Sequence, residues 1–287
     1  MKSSFEKTVT ETSPEKVVPI KDGKSGALLA TYKSGIKAVI KLAKKKLPNG
    51  KRRQRGITVI SHPQREVAYY RLAKLLGFED LVPETVLTEK AVEGHTASAQ
   101  LFVPAVKLRS LQPRLSDVSS STWKSDLVDT ALRVPKSQWR KLLALDIIAG
   151  ARDRHANNVG VLMRVSGGKP TYQVVAWDNA VTFGKTFEKY HNVFHKLLFR
   201  RVVNFDSVWP TLDSITQQDL HKALGGLLSP EEVAHAYLRL SFFQDYPYRL
   251  PWKVCSQGHD SPHEFPSYEP YFEPFVENRP LVLALGA

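Results

Sequence analysis

From Leu142 the chain runs Leu142-Leu143-Ala144-Leu145-Asp146-Ile147-Ile148-Ala149-Gly150, and then Ala151-Arg152-Asp153-Arg154-His155-Ala156-Asn157-Asn158. Trp139, Leu142, Leu143 and Leu145 recur at helical spacing, Ser137 stands where it can cap the start, and Gly150 stops the end. The polar run from Asp153 to Asn158 is a loop. Val159 to Met163 and Tyr172 to Trp177 are expected as two short strands, joined through Ser166-Gly167-Gly168-Lys169 as a hairpin. Asp178 and Asn179 stand where the second strand ends.

Helix, loop, hairpin and a second acid in this order suit one chemistry. Phosphoryl transfer asks for a carboxylate that orients an acceptor hydroxyl and for side-chain oxygens that hold magnesium against ATP phosphates. Asp153, Asn158 and Asp178 are of those types. Singly, each is an ordinary loop residue that satisfies backbone groups in turns. The order in which they occur is what singles them out.

Asp153 followed five positions later by Asn158 resembles the Asp-x-x-x-x-Asn of kinase catalytic loops, and Asp178 stands where kinases carry the Asp of Asp-Phe-Gly. The Phe-Gly is absent, and Asp153-Arg154-His155 replaces the His-Arg-Asp of typical protein kinases. This pattern is similar to the atypical kinases of the phosphatidylinositol 3-/4-kinase-like superfamily, including type II phosphatidylinositol 4-kinases, actin-fragmin kinase and HipA-like bacterial kinases. The resemblance implies an α+β, two-lobed protein-kinase-like fold with a small β-rich N-lobe and a mainly helical C-lobe. It also implies ATP and Mg2+, with Mn2+ as a substitute; Asp153 would orient the acceptor, and Asn158 and Asp178 would hold metal.

The chain before Asp153 contains the parts such an N-lobe needs. Val17 to Ile20, Ala27 to Lys33 and Ile36 to Leu42 read as three strands, the first two separated by Gly23-Lys24-Ser25-Gly26. Gly23 and Gly26 would let the backbone approach phosphates closely, although the same residues make an ordinary hairpin turn. In Ala38-Val39-Ile40-Lys41 the cation follows a β-branched run, like the ATP-contacting Lys of kinase strand three. Lys37 shares its face by the two-residue period, so the choice between Lys41 and Lys37 stays open. Glu66 opens a helical pattern with Val67, Ala68, Leu72, Leu75 and Leu76, and the resemblance makes it the ion-pair partner of Lys41. The bland alternative is a first-turn Glu favoured by the helix dipole. Ala97 to Val103 would lead into the hinge, with Gln100 and Phe102 beside adenine. The resemblance spans about Val17 to Gly184 and is densest from Asp153 to Asp178.

With 287 residues, 42% of them hydrophobic and no apolar run near twenty residues, the chain can bury two lobes and offers no membrane span. The expected division is a disordered tail over 1–14, a nucleotide-binding N-lobe over 15–103 and a catalytic and metal-binding C-lobe over 104–287, closed by an irregular segment rich in Pro and aromatics. The N-terminus has no apolar signal core, and Cys255 is a lone cysteine. An intracellular site of action is expected, direct or after delivery into a host cell, and disulfide-bonded secretory-pathway kinases of similar active-site style are disfavoured.

The net charge of +13 is concentrated: Gly23 to Arg65 holds twelve Lys or Arg and no Asp or Glu. The loop from Lys44 to Arg55 is expected to meet an anionic lipid or polyphosphate, or else to be a solvated face. No motif for specific nucleic-acid recognition accompanies the charge. A second basic stretch, Lys185 to Arg201, lies where kinases bind their acceptor. His191 and His195 lack the Glu of a zinc-protease helix, and Cys255, His259 and His263 match no standard zinc finger. Ser229-Pro230-Glu231-Glu232 is a capping box that opens a helix through Leu240. The expected activity is transfer of phosphate to a protein Ser or Thr hydroxyl. A phosphoinositide kinase, a pseudokinase or anion-binding scaffold, and transfer of AMP are the alternatives.

Overall fold

The computed structural model describes residues 2–20, 26–43, 62–108, 133–151, 153–184 and 207–245. Gly23, the basic loop, the basic stretch 185–201 with its histidines and the C-terminal segment with Cys255 lie outside the described residues.

Strands β1 (Lys16–Pro19), β2 (Leu28–Thr31), β3 (Lys37–Leu42), β4 (Thr85–Thr88) and β5 (Ala97–Leu101) form an antiparallel sheet in the order β1-β2-β3-β5-β4. The two-residue period of β3 divides the work of the sheet. Ala38 and Ile40 turn to one face and register against Leu101 and Ala99, while Val39 and Lys41 turn to the other with Gln100 and Ser98. The first face is built largely of alanines, so a helix can approach it closely. That helix is α1 (Ser4–Glu11), whose Phe5 and Val9 are buried with Ala30, Tyr32, Ala38, Ile40 and Ala99.

Residues 4–11 are thus a packed helix, where the composition of 1–14 led to a disordered tail. Ser3 accepts from the Glu6 amide at 2.9 Å and fixes its first turn. Thr88 donates to the Val9 carbonyl and ties the helix to β4.

Helix α2 (Pro63–Leu75) starts with Pro at its first turn and packs against β4 and β5 on the opposite side of the sheet from α1. Its Ala68, Tyr69, Leu72 and Ala73 belong to the core of the large lobe, together with Leu76, Phe78, Leu81 and Val82. The hydrophobic core therefore does not divide at residue 103. A single 3-10 turn (Glu79–Leu81) separates α2 from β4.

Helix α3 (Lys136–Ala149) buries Trp139, Leu142, Leu143 and Leu145 as its spacing requires. Pro135, not Ser137, occupies the capping position, and no side chain caps this end; Ser137 falls within the first turn. Gly150 closes the helix in the left-handed conformation, at φ 60°. A Cβ there would meet the Arg239 guanidinium at 3.1 Å, so the lack of a side chain also lets Arg239 donate to the Ile148 carbonyl at 2.7 Å.

Strands β6 (Val106–Lys107), β7 (Val159–Ser166) and β8 (Lys169–Ala176) form the second sheet. The hairpin is longer than the sequence pattern suggested, because pairing continues to Ser166 opposite Lys169 around two glycines with φ 56° and 74°. Val159, Val161, Val174 and Ala176 turn into the large core.

The remaining helices are α4 (Trp209–Asp213), α5 (Gln217–Leu224) and α6 (Pro230–Asp245). The capping box at α6 forms: Ser229 Oγ accepts from the Glu232 amide, and Glu232 accepts from the Ser229 amide at 2.8 Å. Among the described residues no helix is long and apolar enough to cross a membrane.

Candidate active site

Lys41, on the inner face of β3, reaches two carboxylates. Its Nζ lies 2.5 Å from Glu66 Oε1 on α2 and 2.8 Å from Asp178 Oδ1 just beyond β8. Lys41 and Glu66 are 6% and 1% exposed, whereas Asp178 is 35% exposed and opens toward solvent. Burial by itself would lower the Lys41 pKa, but Glu66 and Asp178 outweigh it and leave the ammonium held above its ordinary value. Burial would likewise raise Asp178, and Lys41 reverses that and keeps the carboxylate below its usual range. Lys41 and Asp178 therefore face each other as an ion pair at neutral pH.

Lys37, by contrast, is exposed at the start of β3, pairs in register with Thr31, and lies about 13 Å along the strand from Lys41. The structure brings Lys41, not Lys37, to Glu66 and Asp178.

The second oxygen of Glu66 accepts the Asn179 amide at 2.9 Å. One buried carboxylate thus orients both the cation of the small lobe and the turn that carries Asp178. That turn is unusual in its backbone: Asp178 has φ 57°, a left-handed conformation costing about 1 kcal/mol for a non-glycine residue. Its surroundings hold it there. Thr182 Oγ1 donates to the Asn179 carbonyl at 2.7 Å, and the Phe183 amide donates to Ala149 at the end of α3.

Asp153 and Asn158 bracket the loop after α3. Asn158 Nδ2 donates to the Asp153 carbonyl at 2.8 Å, which leaves Oδ1 as the amide's acceptor for another group. The Asp153 side chain is 46% exposed, and His155 Nε2 stands 3.7 Å from its Oδ1. Trp177 braces the loop from the side, its indole donating to the Asn157 carbonyl at 2.9 Å. The ring lies over Gly160, where a Cβ would meet it at 2.4 Å.

The remaining sequence candidates are placed differently. Gly26 has φ 65° at the end of the β1–β2 connection. Gln100 is buried on the Lys41 face and donates to Thr85 Oγ1 at 3.0 Å. The Phe102 amide is spent on the Lys37 carbonyl at 2.9 Å, and its ring is largely exposed. The Phe102 backbone amide is therefore not a spare donor for adenine, while one of the two Gln100 side-chain N–H groups is engaged by Thr85.

Sequence reasoning passed over the residues that hold these parts together. Arg154 is 2% exposed and pairs with Asp146 of α3. Tyr69 of α2 donates to the same carboxylate at 2.6 Å. The available signal was Asp146 itself, an acid in the middle of an apolar helix run, which is costly to bury unless paired.

No protein-family model matches the chain, and no curated protein matches it either. Solved structures do. The Golgi casein kinase with Mn and ADP bound superimposes with a TM-score of 0.56 at 16% identity, over 84% of this chain and 74% of that one. The hydra Fam20 structure with sugar gives a TM-score of 0.55 at 13% identity, over 85% of this chain and 89% of that one. The fold is kinase-like. Its α+β construction, a β-rich N-terminal part and a helical C-terminal part, agrees with the fold class expected from the Asp153 to Asp178 pattern.

Proposed function

We propose that this chain is an atypical ATP-dependent phosphotransferase that moves the γ-phosphoryl group of ATP to a Ser or Thr hydroxyl of a protein. The observation that carries this reading is the Lys41 ammonium held between Glu66 and Asp178, with Asn158 bonded through its carbonyl to the Trp177 amide beside Asp178 and through its side chain to the Asp153 carbonyl. A cation fixed in this way can pair with phosphate oxygens without itself reacting. Little covalent chemistry is asked of the protein; positioning and charge stabilisation supply most of the rate.

Asp153, exposed and at the loop's start, would accept a hydrogen bond from the acceptor hydroxyl and orient its oxygen toward the phosphorus. The metal-holding residues would be Asn158 through Oδ1 and Asp178 through its carboxylate. The donor set fits: Asn158 offers an amide oxygen and Asp178 a carboxylate, and Mg2+ commonly takes one or two protein oxygens and completes its shell from phosphates and water. When bound, the metal neutralises phosphate charge. The glycine turn at Gly23 and Gly26 would cover the phosphates, and backbone groups near Phe102 other than its amide would meet adenine.

The name of the Golgi casein kinase and its bound Mn and ADP support a protein acceptor and a divalent metal at the level of analogy. Assignment to the phosphatidylinositol 3-/4-kinase-like group rests on Asp153-Arg154-His155 and the missing Phe-Gly. The basic run from Lys44 to Arg55 favours a second reading, a phosphoinositide acceptor, because it holds cations without acids to pair them. Incubation with γ-labelled ATP against casein-like acidic proteins and against phosphoinositide vesicles separates the two. Label on protein Ser or Thr supports the first reading, label on lipid alone replaces it with the second, and α-labelled product would indicate AMP transfer.

A further inference from the structure

The guanidinium of Arg154 is shared among three parts of the site. Nε lies 3.0 Å from Asp146 Oδ2, and Nη2 lies 3.0 Å from Asp146 Oδ1. Nη2 also donates to Asn179 Oδ1 at 2.6 Å. Nη1 donates to the Asn158 carbonyl at 3.0 Å and to the Trp177 carbonyl at 2.9 Å. The Trp177 amide itself donates to the Asn158 carbonyl at 3.1 Å.

Asn158 and the residue before Asp178 are thereby pinned side by side on one planar group. From the opposite side, Glu66 holds the Asn179 amide. A peptide in a left-handed turn, gripped at both ends, has little freedom to carry Asp178 away from Asn158. An ammonium could neutralise Asp146, but it has no fork to reach two carbonyls and an amide oxygen at once.

We propose that Arg154, acting with Asn179, is a positioning residue that sets the relation between the metal-holding side chains of Asn158 and Asp178. The proposal rests on the phosphotransfer reading for the identity of the metal site, and on the bonds above for its mechanism. A buried pair with Asp146 would stabilise the fold wherever it pointed; the bonds to Asn158, Trp177 and Asn179 are what a purely structural pair would not need.

The test uses the full chain and three variants. Arg154→Lys keeps the charge beside Asp146 and loses the fork. Asn179→Ala removes one bond to Arg154, and also removes a buried Nδ2 that has no hydrogen-bond partner, so folding should tolerate it. Tyr69→Phe is the control: it loses the hydroxyl's bond to Asp146 but keeps the ring over which the Arg154 guanidinium lies at 5.4 Å, and Arg154 still satisfies that carboxylate.

ADP binding is titrated against Mn2+. Loss of partners that orient metal ligands typically costs about 10–100-fold in metal affinity, so the Mn2+ midpoint should rise by about that factor in Arg154→Lys and Asn179→Ala. Metal-free ADP affinity should be nearly unchanged, and Tyr69→Phe should lower the melting temperature without moving the midpoint. A midpoint equal to the parent's in both folded variants overturns the proposal, as does an equal shift in all three.

Amide hydrogen exchange at Trp177 and Asn179, measured without nucleotide, is the second readout. Faster exchange there in the Arg154 and Asn179 variants than in Tyr69→Phe supports the positioning role; exchange equal to the parent's contradicts it. If the parent shows no metal-dependent ADP binding, the phosphotransfer reading falls while the exchange measurement still decides what Arg154 holds.

Discussion

Lys41 illustrates how a single side chain can be required by both folding and chemistry. Its two carboxylate partners come from α2 and from the turn after β8, so the ammonium joins segments separated by 137 positions. Replacing it with Met would leave Glu66 buried with one partner, the Asn179 amide, and breaking a buried ion pair in this way costs about 3–5 kcal/mol. We expect Lys41→Met to lower the melting temperature and abolish metal-dependent ADP binding, and Lys37→Met to leave both near the parent's values. Thermal unfolding with and without ADP and Mn2+ checks this; the reverse pattern would return the phosphate contact to Lys37. The Asp-x-x-x-x-Asn spacing made Asp153 and Asn158 legible because chemistry restricts residue type and loop length together. Buried Asp146 signalled that some cation must pair with it, but that Arg154 does so, and reaches on to Asn179, 25 positions away, is visible only in the fold.

At the scale of elements, helices were read correctly where apolar residues are dense and wrongly where they are sparse. Helix α3 carries a full apolar face. Helix α1 carries only Phe5 and Val9 among polar neighbours, although Ser3 and Glu6 have the spacing of a capping box. What holds α1 is the alanine-rich face of the sheet, which is visible only once the strands are in register. Phe5→Ala should cost about 3–5 kcal/mol, since the ring is nearly fully buried in the small-lobe core. A loss within the range of surface substitutions, seen in denaturant unfolding, would mean that α1 does not pack as described.

Helices α2 and α6 meet through Arg65 and Glu232, 2.6 Å apart and largely buried, one residue from Glu66. Burial would raise the Glu232 pKa, but the Ser229 amide and Arg65 together hold it below the usual carboxylate range. A depressed folded-state pKa contributes stability above the unfolded value, near 4.3, that is lost as pH falls through the folded one. Glu232→Gln should therefore lower stability by about 2 kcal/mol at pH 7. The parent and variant should converge as the pH falls below the unfolded-state value and on through the lower folded one. A gap in melting temperature that stays constant from pH 7 to pH 3 would show that charge on Glu232 is not the cause.

For the molecule as a whole, the two-part organisation was legible and the seam was not. The change from strand to helix patterns marks the lobes, but α2 shares its core with the large lobe because its Ala68, Leu72 and Ala73 are buried in one cluster with Leu142, Leu220 and Leu224 of the helices that follow. This ties the helix that carries Glu66 to the lobe that carries Asp178, so Lys41 is held by groups on one continuous core. The central claim, that this core supports transfer of the γ-phosphoryl group, is tested most directly by one comparison: label transfer from γ-labelled ATP, with Mg2+ or Mn2+, by the parent protein and by a folded Asp178→Ala variant. The account predicts Ser or Thr phosphorylation by the parent and a loss of several orders of magnitude in the variant. Undiminished transfer by the folded variant would contradict it.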